Sequence, residues 1–143
     1  MVFWKSTPEP LRGDFLVKAK DAEILVVEDD ESISLLLKQV LELDNYRVEI
    51  VGNGHEALEY LKDKPLPTLI LSDLTMPVMD GIEFRKNQIK DPRLAPIPFL
   101  LMTADTHFSM RDVHLTVEQF LKKPLSIDEI LEKVRVALKP KLK

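Results

Sequence analysis

The chain has 143 residues, a formal net charge of −4 and no cysteine. The length suits one domain with its own core, and the lack of cysteine excludes disulfides, thiolate zinc sites and thiol nucleophiles. The acidic balance argues against a nucleic-acid-binding surface, which needs clustered lysine and arginine. No apolar run approaches the ~20 residues that cross a bilayer. We therefore expect a cytoplasmic protein without a membrane partner and, from its charge, without a nucleic-acid partner.

Residues 1–21 differ from the rest of the chain. This segment is polar and carries two prolines, so it does not resemble a signal peptide. Its sizeable apolar side chains are Phe3, Trp4, Phe15 and Leu16. We expect a flexible N-terminal extension followed by a folded domain over 22–143. A strap or a dimer contact made by these aromatic residues is the alternative, so we expect a monomer or a weak homodimer.

The first predicted strand and helix follow this extension. Ile24–Val27 is a short β-branched run, typical of a strand buried on both faces. It ends in Glu28, Asp29 and Asp30, and Asp30 is expected to cap the next helix. The apolar residues of that helix recur three and four positions apart, at Ile33, Leu36, Leu37, Val40 and Leu41. Arg47–Val51 then alternates like a strand at a sheet edge.

The middle of the chain repeats this strand and helix pattern. Asn53 opens a helix with the N-x-x-E form of a cap, and Pro65 ends it by Lys64. Thr68–Ser72 is predicted to be the third strand, ending at Asp73. Asp80 is then expected to cap a helix that runs from Gly81 to about Lys90.

The last third predicts two further strands and a final helix. Ile97–Met102 is the fourth strand, with Pro98 tolerable only near its beginning, and Val117–Leu121 is the fifth. Residues 106–116 between them are weakly amphipathic and predict only a short helix. Ser126 opens the last helix with a capping box, and apolar residues follow at helical spacing at Ile127, Ile130, Leu131, Val134 and Leu138.

Repeated strand and helix alternation predicts an α/β fold, a doubly wound parallel sheet with helices on both faces. Chemistry in such sheets collects beyond the carboxyl ends of the strands. The residues at these ends are Glu28, Asp29, Asp30, Gly52, Asp73, Thr103 and Lys123.

Three carboxylates would crowd together if the first and third strands were adjacent. Glu28, Asp29 and Asp73 would then repel one another unless a cation were present, and oxygen ligands select a hard ion such as Mg²⁺. A carboxylate can also attack phosphorus to form an aspartyl phosphate. Lys123 would supply a second positive group and Thr103 a hydroxyl donor. Each residue alone is typical of a turn or a solvated surface, so the prediction rests on their combination.

The segments ILVVEDDES, LILSDLTMPVMDG, FLLMTAD and FLKKPLS stand in this order in the chain. Together they closely resemble the receiver domains of two-component response regulators, over about residues 22–138. The resemblance implies a flavodoxin-like sheet of five parallel strands in the order 2-1-3-4-5. It also implies a Mg²⁺-dependent phosphoryl transfer from a sensor histidine kinase or a histidine phosphotransfer protein.

The resemblance assigns the chemistry residue by residue. Asp73 is similar to the phosphoacceptor of the family. Glu28 and Asp29 resemble the acidic pair that binds Mg²⁺, and the backbone carbonyl of Thr75 resembles the remaining protein ligand. The side chain of Thr75 is placed where it could affect the water that removes the phosphoryl group.

The resemblance also implies a conformational switch. Thr103 looks like the residue whose hydroxyl moves to the phosphoryl group, and Ala104 looks like the small residue that leaves room for this movement. Phe120 looks like the aromatic residue that then fills the space left by Thr103. Lys123 resembles the family's lysine, whose bond to Pro124 is expected to be cis. The face built from the fourth helix, the fifth strand and the last helix would then change shape.

These expectations amount to a stand-alone receiver that signals to an unknown protein target. It would dephosphorylate itself slowly and would not be an enzyme. One alternative is a receiver-like scaffold that acts without phosphorylation. The other is a haloacid-dehalogenase-type phosphatase, which would need a second acid at Thr75 and its nucleophile on the first strand. The interval between Thr103 and Phe120 departs from the family, because it is compact and has Leu115, Thr116 and Val117 where small residues are usual.

Overall fold

The structure is a computed structural model that describes residues 22–63, 65–104 and 113–139. The predicted N-terminal extension lies outside the described residues, and so does most of the short helix predicted over 106–116. None of the helices in the described part of the chain is long and apolar enough to cross a membrane.

Strands and helices alternate along the described chain. The strands are β1 (Glu23–Val27), β2 (Arg47–Val51), β3 (Leu69–Asp73), β4 (Phe99–Thr103) and β5 (Phe120–Lys122). The α-helices with described bounds are α1 (Glu31–Leu43), α2 (Gly54–Asp63), α3 (Gly81–Lys90) and α4 (Ile127–Leu138), and a short 3₁₀ turn occupies Val117–Gln119.

The five strands form one parallel sheet in the order β2-β1-β3-β4-β5. This order confirms the predicted doubly wound fold, and β2 lies at an edge as its alternating pattern indicated. Val27 pairs with Ser72, and Asp73 pairs with Met102. The carboxyl ends of β1, β3 and β4 therefore meet at one edge of the sheet.

The sheet is buried on both faces, which explains why its strands read as continuous apolar runs. Ile24 and Val26 of β1 face a core shared with α1 and α4, while Leu25 and Val27 face a second core shared with α2 and α3. All four side chains are fully buried, and burying each one contributes about 1.5–3 kcal/mol to stability. This double layer makes the sheet a rigid support for its edge.

Four predicted capping residues are confirmed. Each accepts a hydrogen bond from a backbone N–H three residues later, at 2.9–3.3 Å, which satisfies a donor that the helix itself leaves unpaired. The pairs are Asp30 with Ile33, Asn53 with Glu56, Asp80 with Glu83, and Ser126 with Glu129. The Glu56 carboxylate accepts from the Gly52 N–H, one residue earlier than a capping box predicts.

The prediction that Leu36 faces the core was wrong. Leu36 is 41% exposed, and Ser34 is buried beside Leu37, Val40 and Leu41 instead. Successive helical residues are rotated by about 100°, so Leu36 falls outside the arc centred on Leu37.

The predicted start of the fifth strand was also wrong. The strand begins at Phe120, because Val117–Gln119 form the 3₁₀ turn. The Gln119 amide accepts a hydrogen bond from the Thr116 N–H at 2.9 Å and donates one to the Phe99 carbonyl at 3.1 Å. These bonds close a turn where the apolar pattern indicated an extended chain.

The bounds of three other strands differ slightly from the prediction, and the first of them, β1, begins one residue early at Glu23. β3 begins at Leu69 and includes Asp73, and β4 begins at Phe99, after Pro98. Because proline has no backbone N–H, Pro98 contributes only its carbonyl, which accepts from Ile70 at 2.9 Å.

Candidate functional site

Three carboxylates meet where β1 and β3 end side by side. Glu28 and Asp29 follow β1, and Asp73 is the last residue of β3. One oxygen from each lies within 4.8 Å of the others. Glu28 and Asp73 are only 3% and 5% exposed, whereas Asp29 is exposed. The predicted crowding is therefore present, and we call these three residues with Lys123 the acidic pocket.

Lys123 brings one positive charge to the acidic pocket. Its Nζ lies 3.0 Å from Asp73 Oδ1 and 3.8 Å from Glu28 Oε1. The backbone N–H of Lys123 donates to the Thr103 carbonyl at 3.0 Å, which fixes this residue just beyond β5. The bond between Lys123 and Pro124 is cis, as the family resemblance implied. One lysine facing three carboxylates leaves the pocket with a net negative charge.

The Glu28 carboxylate is held by only one of its two oxygens. Oε2 accepts from the Asp30 N–H at 3.1 Å, whereas Oε1 is buried and has no hydrogen-bond partner among the described residues. The contact from Oε1 to Lys123 at 3.8 Å is too long for a hydrogen bond. Burial raises the pKa of Glu28 to about 7, and repulsion by Asp73 and Asp29 adds to the rise, while the Asp30 N–H and Lys123 oppose it. Burying a carboxylate oxygen without a hydrogen bond costs free energy unless a ligand binds to that oxygen.

The donor set of the acidic pocket fits a hard divalent cation. All three candidate ligands are carboxylate oxygens, which Mg²⁺ prefers, and Mg²⁺ typically keeps several waters as well. A cation there would neutralise the excess negative charge and give Glu28 Oε1 a partner. The residues present therefore fit the metal that the sequence predicted.

Asp73 is oriented by the backbone N–H of the next residue. Its Oδ1 accepts from the Leu74 N–H at 2.9 Å in addition to the ion pair with Lys123. The Leu74 carbonyl in turn accepts from the Gly81 N–H at 2.7 Å. A Cβ at Gly81 would collide with the Asp73 carbonyl oxygen. Close approach of backbone to backbone is the reason for glycine here, and it ties the start of α3 to Asp73.

Two further acids, in the loops that follow β1 and β3, have structural roles. Asp30 caps α1 and Asp80 caps α3. Of the two acids in the segment from residue 69 to 81, Asp80 therefore caps a helix, and Asp73 lies in the acidic pocket.

The two predicted switch residues lie on neighbouring strands. Thr103 is buried at the end of β4, and half-buried Phe120 packs against the second core at the start of β5. In register, Phe120 faces Leu101, whereas Thr103 faces Lys122. The two switch residues are thus offset by two positions along the strands, which is about 7 Å. Thr75 and Ala104 are exposed near the same edge.

A buried polar pair on α3 was missed by the sequence reasoning. Arg85 is 8% exposed and Gln88 is fully buried. Arginine and glutamine are mostly exposed in proteins, so the pair reads as a solvated face. The only available signal was their three-residue spacing next to Phe84, which places both near the apolar side of the helix.

Comparison with known proteins gives the family. The sequence model of the response regulator receiver domain matches residues 24–135. This chain belongs to that family. It is the receiver domain of a two-component response regulator, and it resembles in structure the chemotaxis response regulator CheY4 of Vibrio cholerae. That similarity has a TM-score of 0.71 at 29% identity and covers 82% of this chain and 98% of CheY4.

Two curated relatives share the receiver region. The alkaline phosphatase synthesis transcriptional regulatory protein PhoP of Bacillus subtilis is 36% identical over 119 residues, which is 82% of this chain and 48% of PhoP. The phosphate regulon transcriptional regulatory protein PhoB of Rhizobium meliloti is 30% identical over 119 residues, covering 82% of this chain and 52% of PhoB. The chain thus spans about half the length of the curated relatives it matches.

Proposed function

We propose that this receiver domain accepts a phosphoryl group on Asp73. The donor would be a phosphohistidine of a sensor histidine kinase or a histidine phosphotransfer protein, and Mg²⁺ would be bound in the acidic pocket. The proposal rests on one observation above all: three carboxylates and Lys123 lie together, and one buried oxygen among them, Glu28 Oε1, has no hydrogen-bond partner within the described part of the chain.

The metal would be held by residues from both strand ends. Glu28, Asp29 and Asp73 supply carboxylate oxygens, and we assign the remaining protein ligand to the Thr75 backbone carbonyl. When bound, Mg²⁺ would neutralise negative charge on the transferring phosphoryl group.

The contacts of Asp73 indicate how the transfer would proceed. Oδ1 already receives the Leu74 N–H and the Lys123 ammonium, so we assign the attack on phosphorus to Oδ2. A new bond forms between Oδ2 and phosphorus while the bond from phosphorus to the donor imidazole nitrogen breaks. Lys123 Nζ lies 3.0 Å from Asp73 Oδ1, so we assign to its ammonium a charge-assisted hydrogen bond to an oxygen of the transferred group, which is a strong kind of bond.

The conformational response would begin at Thr103. Its hydroxyl would donate to the new phosphoryl group, and Phe120 would move toward the space that Thr103 leaves. The moving surface would include β5, the turn before it and α4. Phosphorylation can shift these populations only by the difference in its contacts with the two conformations. The part of the predicted surface that falls on 105–112 lies outside the described residues.

The output of the domain is also a proposal. We expect slow loss of the phosphoryl group by hydrolysis and signalling through contact with a protein target. The related proteins PhoP and PhoB are named transcriptional regulators, so the absence of a nucleic-acid partner stays a prediction. The stand-alone arrangement, the cytoplasmic location and the monomer or weak homodimer stay predictions too.

Acetyl phosphate labelling tests the proposal. With Mg²⁺ present, peptide mass spectrometry should place one phosphoryl group on Asp73, and Asp73→Asn should remove it. Asp80→Asn is the matched control, because asparagine caps helices as well as aspartate does and labelling should persist.

Two other outcomes would contradict this function. If acetyl phosphate, beryllofluoride and phosphorylated kinases all left Asp73 unmodified and the protein unchanged, the scaffold alternative would hold. Turnover of small phosphate esters without a stable effect of acetyl phosphate would instead indicate the phosphatase.

A further inference from the structure

Arg85 of α3 makes a set of buried hydrogen bonds away from the acidic pocket. Its Nε donates to the Val113 carbonyl at 2.9 Å, and its Nη2 donates to the His114 carbonyl at 2.8 Å. Its Nη1 donates to Gln88 Oε1 at 2.7 Å, and the guanidinium carbon lies 5.2 Å from the centre of the Phe99 ring. We call Arg85 with these four contacts the Arg85 clamp.

The clamp is an uncommon way to bury a positive charge. Within the described residues no carboxylate lies at ion-pair distance from Arg85, so neutral oxygens and an aromatic face compensate its charge. Gln88 is itself fixed, because its Nε2 donates to the Leu94 and Ile97 carbonyls at 2.9 and 3.0 Å. A guanidinium held in this way has one orientation.

The clamp holds the chain that leads into β5. Val113 is fully buried, and His114 has φ 53°, in the left-handed region that is unfavourable for a residue with a side chain. Such a conformation persists only where surrounding contacts impose it, and the Arg85 bond to the His114 carbonyl is such a contact. Leu115, the 3₁₀ turn and then Phe120 follow directly.

The same helix begins at the acidic pocket. The Gly81 N–H donates to the Leu74 carbonyl, next to Asp73, and there is no room for a side chain at Gly81. Helix α3 therefore contacts the candidate phosphoacceptor at its first residue and the chain before Phe120 through its fifth residue.

We propose that Arg85 is a positioning residue for the phosphorylation switch. Its bonds to Val113 and His114 hold the chain before Phe120 in the resting arrangement, and movement of Phe120 after phosphorylation of Asp73 requires them to lengthen or break. This inference rests on the proposed function, since it concerns the resting and phosphorylated conformations of that same site.

The consequence is a shift in population. A ligand that binds only the activated conformation has an apparent Kd equal to its intrinsic Kd divided by the populated fraction of that conformation. Loss of the clamp removes contacts that favour the resting conformation, so beryllofluoride, which mimics the phosphoryl group, should bind more tightly. Mg²⁺ alone should bind as before, because the clamp does not contact the acidic pocket.

The experiment is a beryllofluoride titration in saturating Mg²⁺, followed by ¹⁹F NMR of the bound group. Arg85→Met keeps a long apolar side chain and should lower the apparent Kd by about tenfold. Arg85→Lys cannot bond all three acceptors with a planar fork, so it should lower the apparent Kd by about threefold. Arg93→Met is the matched control, because Arg93 donates to the Leu61 carbonyl at the far end of α2, and its Kd should not change.

His114→Gly tests the inference from the opposite direction. Glycine adopts positive φ without strain, so this variant should favour the resting arrangement and raise the apparent Kd by about threefold. It also keeps the test intact if Arg85→Met does not fold. A general loss of packing would weaken Mg²⁺ and beryllofluoride binding together in all variants.

Three results would overturn the inference. These are an Arg85→Met or Arg85→Lys Kd equal to or above that of the wild type, a His114→Gly Kd at or below it, or a parallel change in Arg93→Met. If the wild-type protein binds Mg²⁺ but does not bind beryllofluoride, and Asp73 takes no label from acetyl phosphate, the proposed function fails, and the inference fails with it.

Discussion

In the part of the chain that the structure describes, charged side chains are buried at two places, and their charges are compensated very differently. In the acidic pocket, Glu28 has an oxygen for which residues 22–63, 65–104 and 113–139 supply no hydrogen-bond partner, and three carboxylates face Lys123. In the Arg85 clamp, the three guanidinium nitrogens Nε, Nη1 and Nη2 each donate a hydrogen bond to an oxygen. Both groups are less than a tenth exposed.

The difference separates a binding site from a structural one. Burying a charge is costly unless hydrogen bonds or opposite charges compensate it. The clamp is compensated from within the chain, so it needs no ligand. The charges of the acidic pocket are not fully compensated by the chain, so part of the free-energy cost of burying them is offset only when a cation binds. This contrast leads us to expect that substitutions in the pocket change chemistry, whereas substitutions elsewhere change stability or conformational equilibrium.

The largest expected effect comes from Lys123→Met. This change removes the only positive side chain at ion-pair distance from Asp73 within the described residues, and one lost donor to a transferring group typically costs about 10² in rate. The rate of acetyl phosphate labelling in saturating Mg²⁺ should fall by about that factor. Lys122→Met is the control, since Lys122 is exposed; a similar loss in both variants would mean that net charge, not the pocket, sets the rate.

Gly81→Ala should destabilise the start of α3, the helix that runs from the acidic pocket to Arg85. The new Cβ would meet the Asp73 carbonyl oxygen, and it would lie 3.0 Å from Leu101 Cδ1 and from Leu74 Cα. Overpacking against backbone should lower the free energy of unfolding by about 2 kcal/mol, measured by urea unfolding.

Gly52→Ala provides the comparison for that variant. A Cβ at Gly52 would meet only the Glu56 carboxylate, at 3.2 Å, and this flexible side chain can move. We expect a change below about 0.5 kcal/mol. Equal losses in the two variants would contradict a close contact specific to Gly81.

Glu28→Gln should separate stability from metal binding. The glutamine amide keeps the shape of the side chain but removes the carboxyl group. Burial raises the pKa of that Glu28 carboxyl most, and repulsion by Asp73 and Asp29 adds to the rise. Without Mg²⁺, the free energy of unfolding should rise by about 1 kcal/mol, and the extra stability that Mg²⁺ gives the wild type should disappear. Urea unfolding with EDTA or with Mg²⁺ measures both. Lower stability without Mg²⁺ would show that the pocket is compensated after all.

The smallest expected effect concerns Val78, in the loop between Asp73 and α3. Its φ is 71° and its side chain is 80% exposed, so strain is present and little packing would be lost. Val78→Asn should raise the free energy of unfolding by about 0.5 kcal/mol, because asparagine tolerates the left-handed region better than a β-branched residue. Thermal unfolding measures the change, and a decrease would mean that the valine side chain makes a contribution that outweighs the strain.

The sequence predicted the fold and the acidic pocket for the same physical reason. In a parallel sheet every strand ends at the same edge, so polar residues after β1, β3 and β4 must lie close together once the strand order is right. The caps at Asp30 and Asp80 were predictable because they depend on bonds only three residues away. The roles of Asp73, Thr75, Thr103 and Phe120 still rest on the family resemblance.

Features that depend on distant contacts were not predictable. Arg85 is buried because carbonyls nearly thirty residues later accept its bonds. The late start of β5 likewise depends on the bond from Gln119 to the Phe99 carbonyl. Local pattern favours a solvated arginine and a strand from Val117, and tertiary hydrogen bonds override both.

The most direct test of the central claim is a backbone amide NMR titration of the wild-type protein with Mg²⁺ and then acetyl phosphate. Mg²⁺ alone should shift the amides around Glu28, Asp29 and Asp73 and leave Phe120 in place. Acetyl phosphate should then shift Thr103, His114 and Phe120, and only when Mg²⁺ is present. Labelling without Mg²⁺, or changes confined to the acidic pocket, would contradict a metal-dependent switch that extends from Asp73 to β5.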